Sequence, residues 1–265
     1  MNHGRIILET TDDVAVMTLN DPSVLNAFGL KLREDMAVAM DRVEASSARC
    51  LVITGAGRAF CSGANLNDPD RASHDRAAEA DGKVKSDLES WYNPMFRRLR
   101  ALPIPIVTAI NGMAAGAGMS LALTGDIRIA ARSASFLQAF ARIGLVPDCG
   151  SSWLLPRLIG MARAMELSLL AERLPAETAL SWGLINRLEE DNALMPRALE
   201  VAHGLAAGPR SLGLIRQMYW QGMENTYSDQ LDLEAKLQSQ AALTRDYDEG
   251  VAAFREKRPA SFTGR

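Results

Sequence analysis

Three stretches of this sequence combine residue types that can do chemistry. Two are small-residue loops that follow apolar runs. Ala59-Phe60-Cys61-Ser62-Gly63-Ala64-Asn65-Leu66 comes after the run at 50–54, and Asn111-Gly112-Met113-Ala114-Ala115-Gly116-Ala117-Gly118 after the run at 106–110. In the second, a β-rich run stops at Asn-Gly and becomes helix-forming from Met119, so a helix starts there with exposed backbone N–H groups. With no bulky side chain in front of them, those donors can approach a ligand oxygen, and the helix dipole adds partial positive charge. One N–H from each loop would make an oxyanion hole. The same small residues also suit a helix packed closely on a sheet, and the second loop alone does not separate the two readings. The third stretch, Leu145-Val146-Pro147-Asp148-Cys149-Gly150, carries an acid just before an aliphatic segment, where Asp148 is positioned to cap a helix.

Other chemistries fail on their patterns. Gly55 and Gly57 begin a GxGxxG, but Phe60 holds the third glycine position, and no GxxxxGK sequence precedes a Ser or Thr. A Ser-His-Asp hydrolase is excluded by the absence of a GxSxG elbow and by the peripheral or helical contexts of His3, His74 and His203. No HExxH and no carboxylate cluster at ligand spacing occurs, so no metal and no redox cofactor is expected. Cys50, Cys61 and Cys149 are too few and too scattered for a disulfide framework, Cys61 and Cys149 read as packing residues, and a reducing cytoplasm fits.

The elements that must position these loops form an α/β pattern. Two short strands at 6–9 and 14–19 make a hairpin, an amphipathic helix covers 29–45, and strands follow at 50–54, 106–110, 126–130 and 134–137. Residues 67–86 are polar, rich in Asp, Ala and Arg, and read as a loop over the site, before a helical pattern at 88–102. After residue 157 strand signals almost vanish, apart from a short one at 184–188. Helices are expected at 161–171, 176–182, 193–207, 212–223, 227–242 and 246–255. The division is an α/β core over 1–190 and a helical C-terminal region over 191–265. A net charge of −3 with interspersed signs disfavours nucleic acid, and no apolar run approaches the ~18 residues of a membrane span.

The two loops, together with Gly183-Leu184-Ile185 downstream, resemble the crotonase or enoyl-CoA hydratase/isomerase superfamily across nearly the whole chain. The resemblance implies a spiral of ββα repeats with a helical trimerisation region, and a homotrimer or hexamer. It implies an acyl-CoA thioester substrate, coenzyme A being part of that substrate, with its carbonyl oxygen held by the N–H groups of Ala64 and Ala117. Hydratases of the family carry two glutamates; the matching positions are Ser120 and Phe140, while Asp148 stands where family isomerases place a carboxylate. Leu66 and Gly116 are assigned to substrate binding, and Phe254 and Lys257 resemble residues that meet the nucleotide end of the substrate from another subunit's C-terminal helix. The expected activity is acyl-CoA isomerisation by a single carboxylate base. A hydratase, and a noncatalytic acyl-CoA or RNA binder, remain as alternatives.

Overall fold

The computed structural model describes residues 2–68 and 85–264, so most of the polar loop expected over the site lies outside the described residues. β1 (Asn2–His3), β2 (Ile6–Thr11) and β3 (Val14–Leu19) form an antiparallel edge. Asp12 and Asp13 turn the hairpin at φ 48° and 63°, the left-handed pair that matches strand twist. Helix α1 (Leu30–Ala45) buries Leu32, Met36, Met40 and Val43, the apolar stripe of the sequence, against this edge.

From β4 (Cys50–Gly55) onward the chain alternates between two sheets. β4 leads to β5 (Ala59–Cys61), β6 (Ile106–Ile110) to β7 (Met113–Ala115), and β8 (Ile127–Ala131) to β9 (Ser135–Leu137). The first strand of each pair joins a seven-stranded sheet in which β3, β4, β6 and β8 run parallel. The second joins a four-stranded sheet in which β5, β7 and β9 run parallel. Such strands need apolar residues on both faces, and every residue of β6 is buried. The result is the expected spiral of ββα turns, with helix α2 (Asn93–Ala101) after the first pair and helix α3 (Ala117–Ala122) after the second.

Several boundaries differ from the sequence reading. The helix expected at 88–102 opens instead with a π-helical turn, Leu88–Tyr92, before α2. Asp148 caps no helix: helix α4 (Ser151–Ile159) starts after Gly150. Cys149 at φ 53° and Gly150 at φ 81° redirect the chain, and only the Asp148 carbonyl meets the Ser151 N–H, at 3.0 Å. After α5 (Met161–Leu170), a two-residue strand that the sequence did not announce, β10 (Leu174–Pro175), pairs with β9 and precedes α6 (Ala176–Trp182). The strand expected at 184–188 is β11 (Arg187–Glu189), whose place is set by parallel pairing with β8.

Four helices complete the chain: α7 (Leu194–Ala206), α8 (Ser211–Gly222), α9 (Tyr227–Ala242) and α10 (Arg245–Glu256). Ala198, Ala202 and Ala206 form a stripe of small residues that lets α7 lie close on the large sheet. Thr226 and Thr244 cap α9 and α10 by accepting from the N–H groups of Asp229 and Tyr247. Among the described residues no helix is long and apolar enough to cross a membrane.

Candidate active site

The small sheet brings the two loops together. β5 and β7 are parallel, with Ala59 opposite Met113 and Cys61 opposite Ala114, so the residues leaving their carboxyl ends emerge side by side. Gly63 there has φ 95°, and a Cβ on it would stand 2.8 Å from the Ala115 carbonyl oxygen and 3.5 Å from the Ala117 nitrogen. A side chain at 63 would therefore crowd the space between the loops as well as strain the backbone. Gly118 is held closer still, its missing Cβ falling 2.1 Å from the Cys61 carbonyl oxygen.

Two asparagines brace the first loop. Asn26, fully buried, donates its amide to the carbonyls of Ala56 at 2.9 Å and Ala59 at 2.8 Å, and accepts from the Asp21 N–H. Asn111 donates to the Gly57 carbonyl at 2.9 Å and accepts from the Gly55 N–H at 3.1 Å. The second loop is tied to β9 by the Gly116 N–H bond to the Leu137 carbonyl. Ala117 is the first residue of α3, where a helix has no acceptor of its own for the N–H, and Ala64 meets Phe28 only in an isolated bridge. Neither N–H has an acceptor among the described residues.

Both loops open on one cavity of about 900 Å³. Ala64, Leu66, Gly116, Ala117 and Asp148 all line it, with Phe28, Tyr92 and Phe140 as its aromatic wall. Leu66 is 54% exposed, so it stands at the rim. Phe254 and Lys257 do not line this cavity; they sit at the end of α10, with Phe254 85% exposed.

Asp148 is half-buried, and its Oδ1 is enclosed with no hydrogen-bond partner among the described residues. Burial pushes its carboxyl above the usual range, and a hydrogen bond with the Cys149 thiol opposes part of that rise. Ser120, at one of the expected glutamate positions, is fully buried and donates its hydroxyl to the Asp148 carbonyl at 3.2 Å. Ser151 donates to the same oxygen at 2.9 Å. The serine that cannot be a base thus helps to fix the backbone of the residue that can. Phe140, at the other position, is buried against Gly116. Cys61 is packed, its thiol pushed up to about 12 by burial, which keeps it protonated rather than nucleophilic.

The sequence reading missed Asn26, Tyr92 and the Cys149 contact. Asn26 lies in a turn beside Pro22 and Ser23, where asparagine is ordinary, and its burial and left-handed φ of 57° emerge only in the fold. Tyr92 was one position in an amphipathic pattern, and in the fold it closes a π-helical turn and lines the cavity.

The enoyl-CoA hydratase/isomerase family model matches residues 9–265. The chain is 46% identical over 265 residues to the 1,2-epoxyphenylacetyl-CoA isomerase of Escherichia coli, covering 98% of each chain. It is 42% identical over 267 residues to a protein of Rhodobacter capsulatus named as a probable enoyl-CoA hydratase, covering 100% of each. The crystal structure of enoyl-CoA hydratase from Bacillus anthracis superposes with a TM-score of 0.88 at 30% identity, over 98% of this chain and 100% of that one. Fold, loop geometry and these matches agree: the chain belongs to the enoyl-CoA hydratase/isomerase family.

Proposed function

We propose that this protein is a cofactor-independent acyl-CoA isomerase in which Ala64 and Ala117 hold the thioester oxygen and Asp148 moves the proton. The observation that carries the reading is Asp148 itself: an enclosed carboxyl with an unpartnered oxygen, in the same cavity as the two N–H donors, where Ser120 and Phe140 offer no carboxylate. Removing a proton next to a thioester carbonyl places negative charge on its oxygen. Each preorganised N–H that meets this charge supplies about 3 kcal/mol of transition-state stabilisation. One carboxylate then suffices, because the proton taken from one carbon is returned to another along the same conjugated system. The oxidation level does not change, and the step needs no electron acceptor.

The relative from Escherichia coli acts on 1,2-epoxyphenylacetyl-CoA by its name. A ring-bearing acyl group suits a cavity walled by Phe28, Tyr92 and Phe140, and we extend the proposal to that substrate, alongside double-bond shifts in enoyl-CoA. Phe254 and Lys257 meet the nucleotide end of the substrate in a neighbouring copy of a homotrimer or hexamer; their position away from the cavity of their own chain supports this.

The test compares wild type with Asp148→Asn on 3-enoyl-CoA, 2-enoyl-CoA and the 1,2-epoxide of phenylacetyl-CoA. Isomerisation is expected to fall by about 10²–10⁴-fold in the variant. Undiminished isomerisation would remove Asp148 as the base, and fast hydration of 2-enoyl-CoA would replace the isomerase reading with a hydratase.

A further inference from the structure

The cavity contains a polar group that the proton shift does not use. Tyr92 closes the π-helical turn Leu88–Tyr92, a local widening that recurs at functional sites, and it lines the cavity although only 6% exposed. Its ring is held on three sides. Phe28 meets it edge-on at 5.8 Å and Trp91 edge-on at 4.8 Å, while the Arg33 guanidinium stands 5.7 Å from its centre. Phe28 in turn bonds the first loop on both sides, its N–H donating to the Gly63 carbonyl at 2.7 Å and its carbonyl accepting from the Asn65 N–H at 3.2 Å. Tyr92 is therefore fixed relative to the Ala64 donor through a single intervening ring.

The Tyr92 hydroxyl makes no hydrogen bond to the described residues, and it is not one of the fully enclosed unpartnered polar atoms, so it opens on the cavity that Tyr92 lines. Burial is the largest influence and keeps the proton on the phenol; Arg33 works against it, and Cys149, Cys61 and Asp148 add smaller contributions that disfavour the phenolate. A protonated phenol in this place can only offer its hydrogen to an acceptor or take one from a donor. In the proposed reaction the Asp148 carboxylate is engaged with the migrating proton and the thioester oxygen has its own two donors, which leaves an oxygen elsewhere on the acyl group as the acceptor for this phenol.

We propose that the Tyr92 hydroxyl is a second polar subsite of the acyl pocket, donating a hydrogen bond to an oxygen carried on the ring of the acyl group. The inference rests on the acyl-CoA reading and deepens it: it selects ring-oxygenated acyl thioesters over their unsubstituted counterparts. No bond is made or broken by the tyrosine, which keeps its proton while the oxygen is held.

Binding of phenylacetyl-CoA and 2-hydroxyphenylacetyl-CoA to wild type and to Tyr92→Phe, measured by calorimetry, separates the possibilities. Phenylalanine keeps the ring and removes one hydroxyl. Wild type is expected to prefer the hydroxylated thioester, and the variant to lose about fivefold to tenfold of that preference, the size of one neutral hydrogen bond. Phe28→Leu, which loosens the ring packing, is expected to weaken both thioesters together. If Tyr92→Phe leaves the ratio of the two affinities as in wild type, Tyr92 only packs, and the subsite is overturned. If neither thioester binds wild type, the acyl-CoA reading fails before the tyrosine is tested.

Discussion

At residue 148 a carboxyl is held where ionisation is costly, and that cost has two separable consequences. The folded protein binds the Asp148 proton more tightly than the unfolded chain does, because burial raises its pKa. Stability contributed by this group is then fully present at low pH and declines as pH rises from the ordinary aspartate value of about 3.9 through the raised folded value. Activity runs the other way, since a base must be ionised, and its acid limb should fall above that ordinary value. Asp148→Asn is thus expected to lose isomerisation while melting no lower than wild type at pH 7, and the wild-type pH profile of kcat/KM to rise through a pKa above that of an ordinary aspartate. A variant that is both inactive and strongly destabilised would mean that the carboxylate holds the fold together. Cys149 provides a second handle. Removing its thiol by Cys149→Ala takes away a hydrogen bond that favours ionised Asp148, so the acid limb should shift upward in pH.

The elements that place the oxyanion donors tolerate little change, because the first turn of α3 lies against β5. Gly118→Ala puts a methyl carbon at 2.1 Å from the Cys61 carbonyl oxygen, a backbone atom that cannot swing away. Helix and strand must separate, and we expect a cost of about 1–3 kcal/mol in chemical denaturation together with a fall in kcat as Ala117 leaves its place. A variant with wild-type kcat would show that the spacing of α3 from β5 does not set the donor geometry. The same contacts explain what the sequence disclosed. Helix α9 was readable to the residue, because an exposed helix carries its own period and Thr226 marks its start. The loops at 63–64 and 116–118 were readable because small residues there answer to local crowding. The start of α4 was misplaced, since the left-handed turn at Cys149 and Gly150 depends on what Ser120 and Ser151 hold across the fold. Likewise β10 has its partners 38 and 40 residues earlier, Leu174 pairing with Phe136 and Pro175 with Ser135, and no local period announces it.

Over the whole molecule, the helical C-terminal part is fastened to the sheets and to its own tail by buried charges. Arg216 on α8 pairs with Asp126 at 2.7 Å and donates to the Leu99, Arg100 and Leu102 carbonyls at the end of α2, so one guanidinium joins α8, α2 and the approach to β8. Arg216→Ala leaves these acceptors unanswered, and a loss of about 3–5 kcal/mol is expected in denaturant unfolding. Asp246 does the corresponding work at the far end: its carboxylate accepts from the N–H groups of Arg210, Thr263 and Gly264, tying the segment before α8 and the C-terminal tail to α10. Burial raises its pKa, but these backbone donors outweigh burial and leave the folded value below the ordinary one. The unfolded chain therefore takes up the proton first as pH falls. Its stabilisation is complete above about pH 4 and is lost as pH drops through the depressed folded value. Asp246→Asn should consequently lower stability by about 1–3 kcal/mol at pH 7, and the difference from wild type should narrow steadily below pH 4. Urea unfolding of both proteins from pH 7 to pH 3 measures it. A gap that stays constant across that range would show that Asp246 contributes through packing, with its charge having no part in holding the tail.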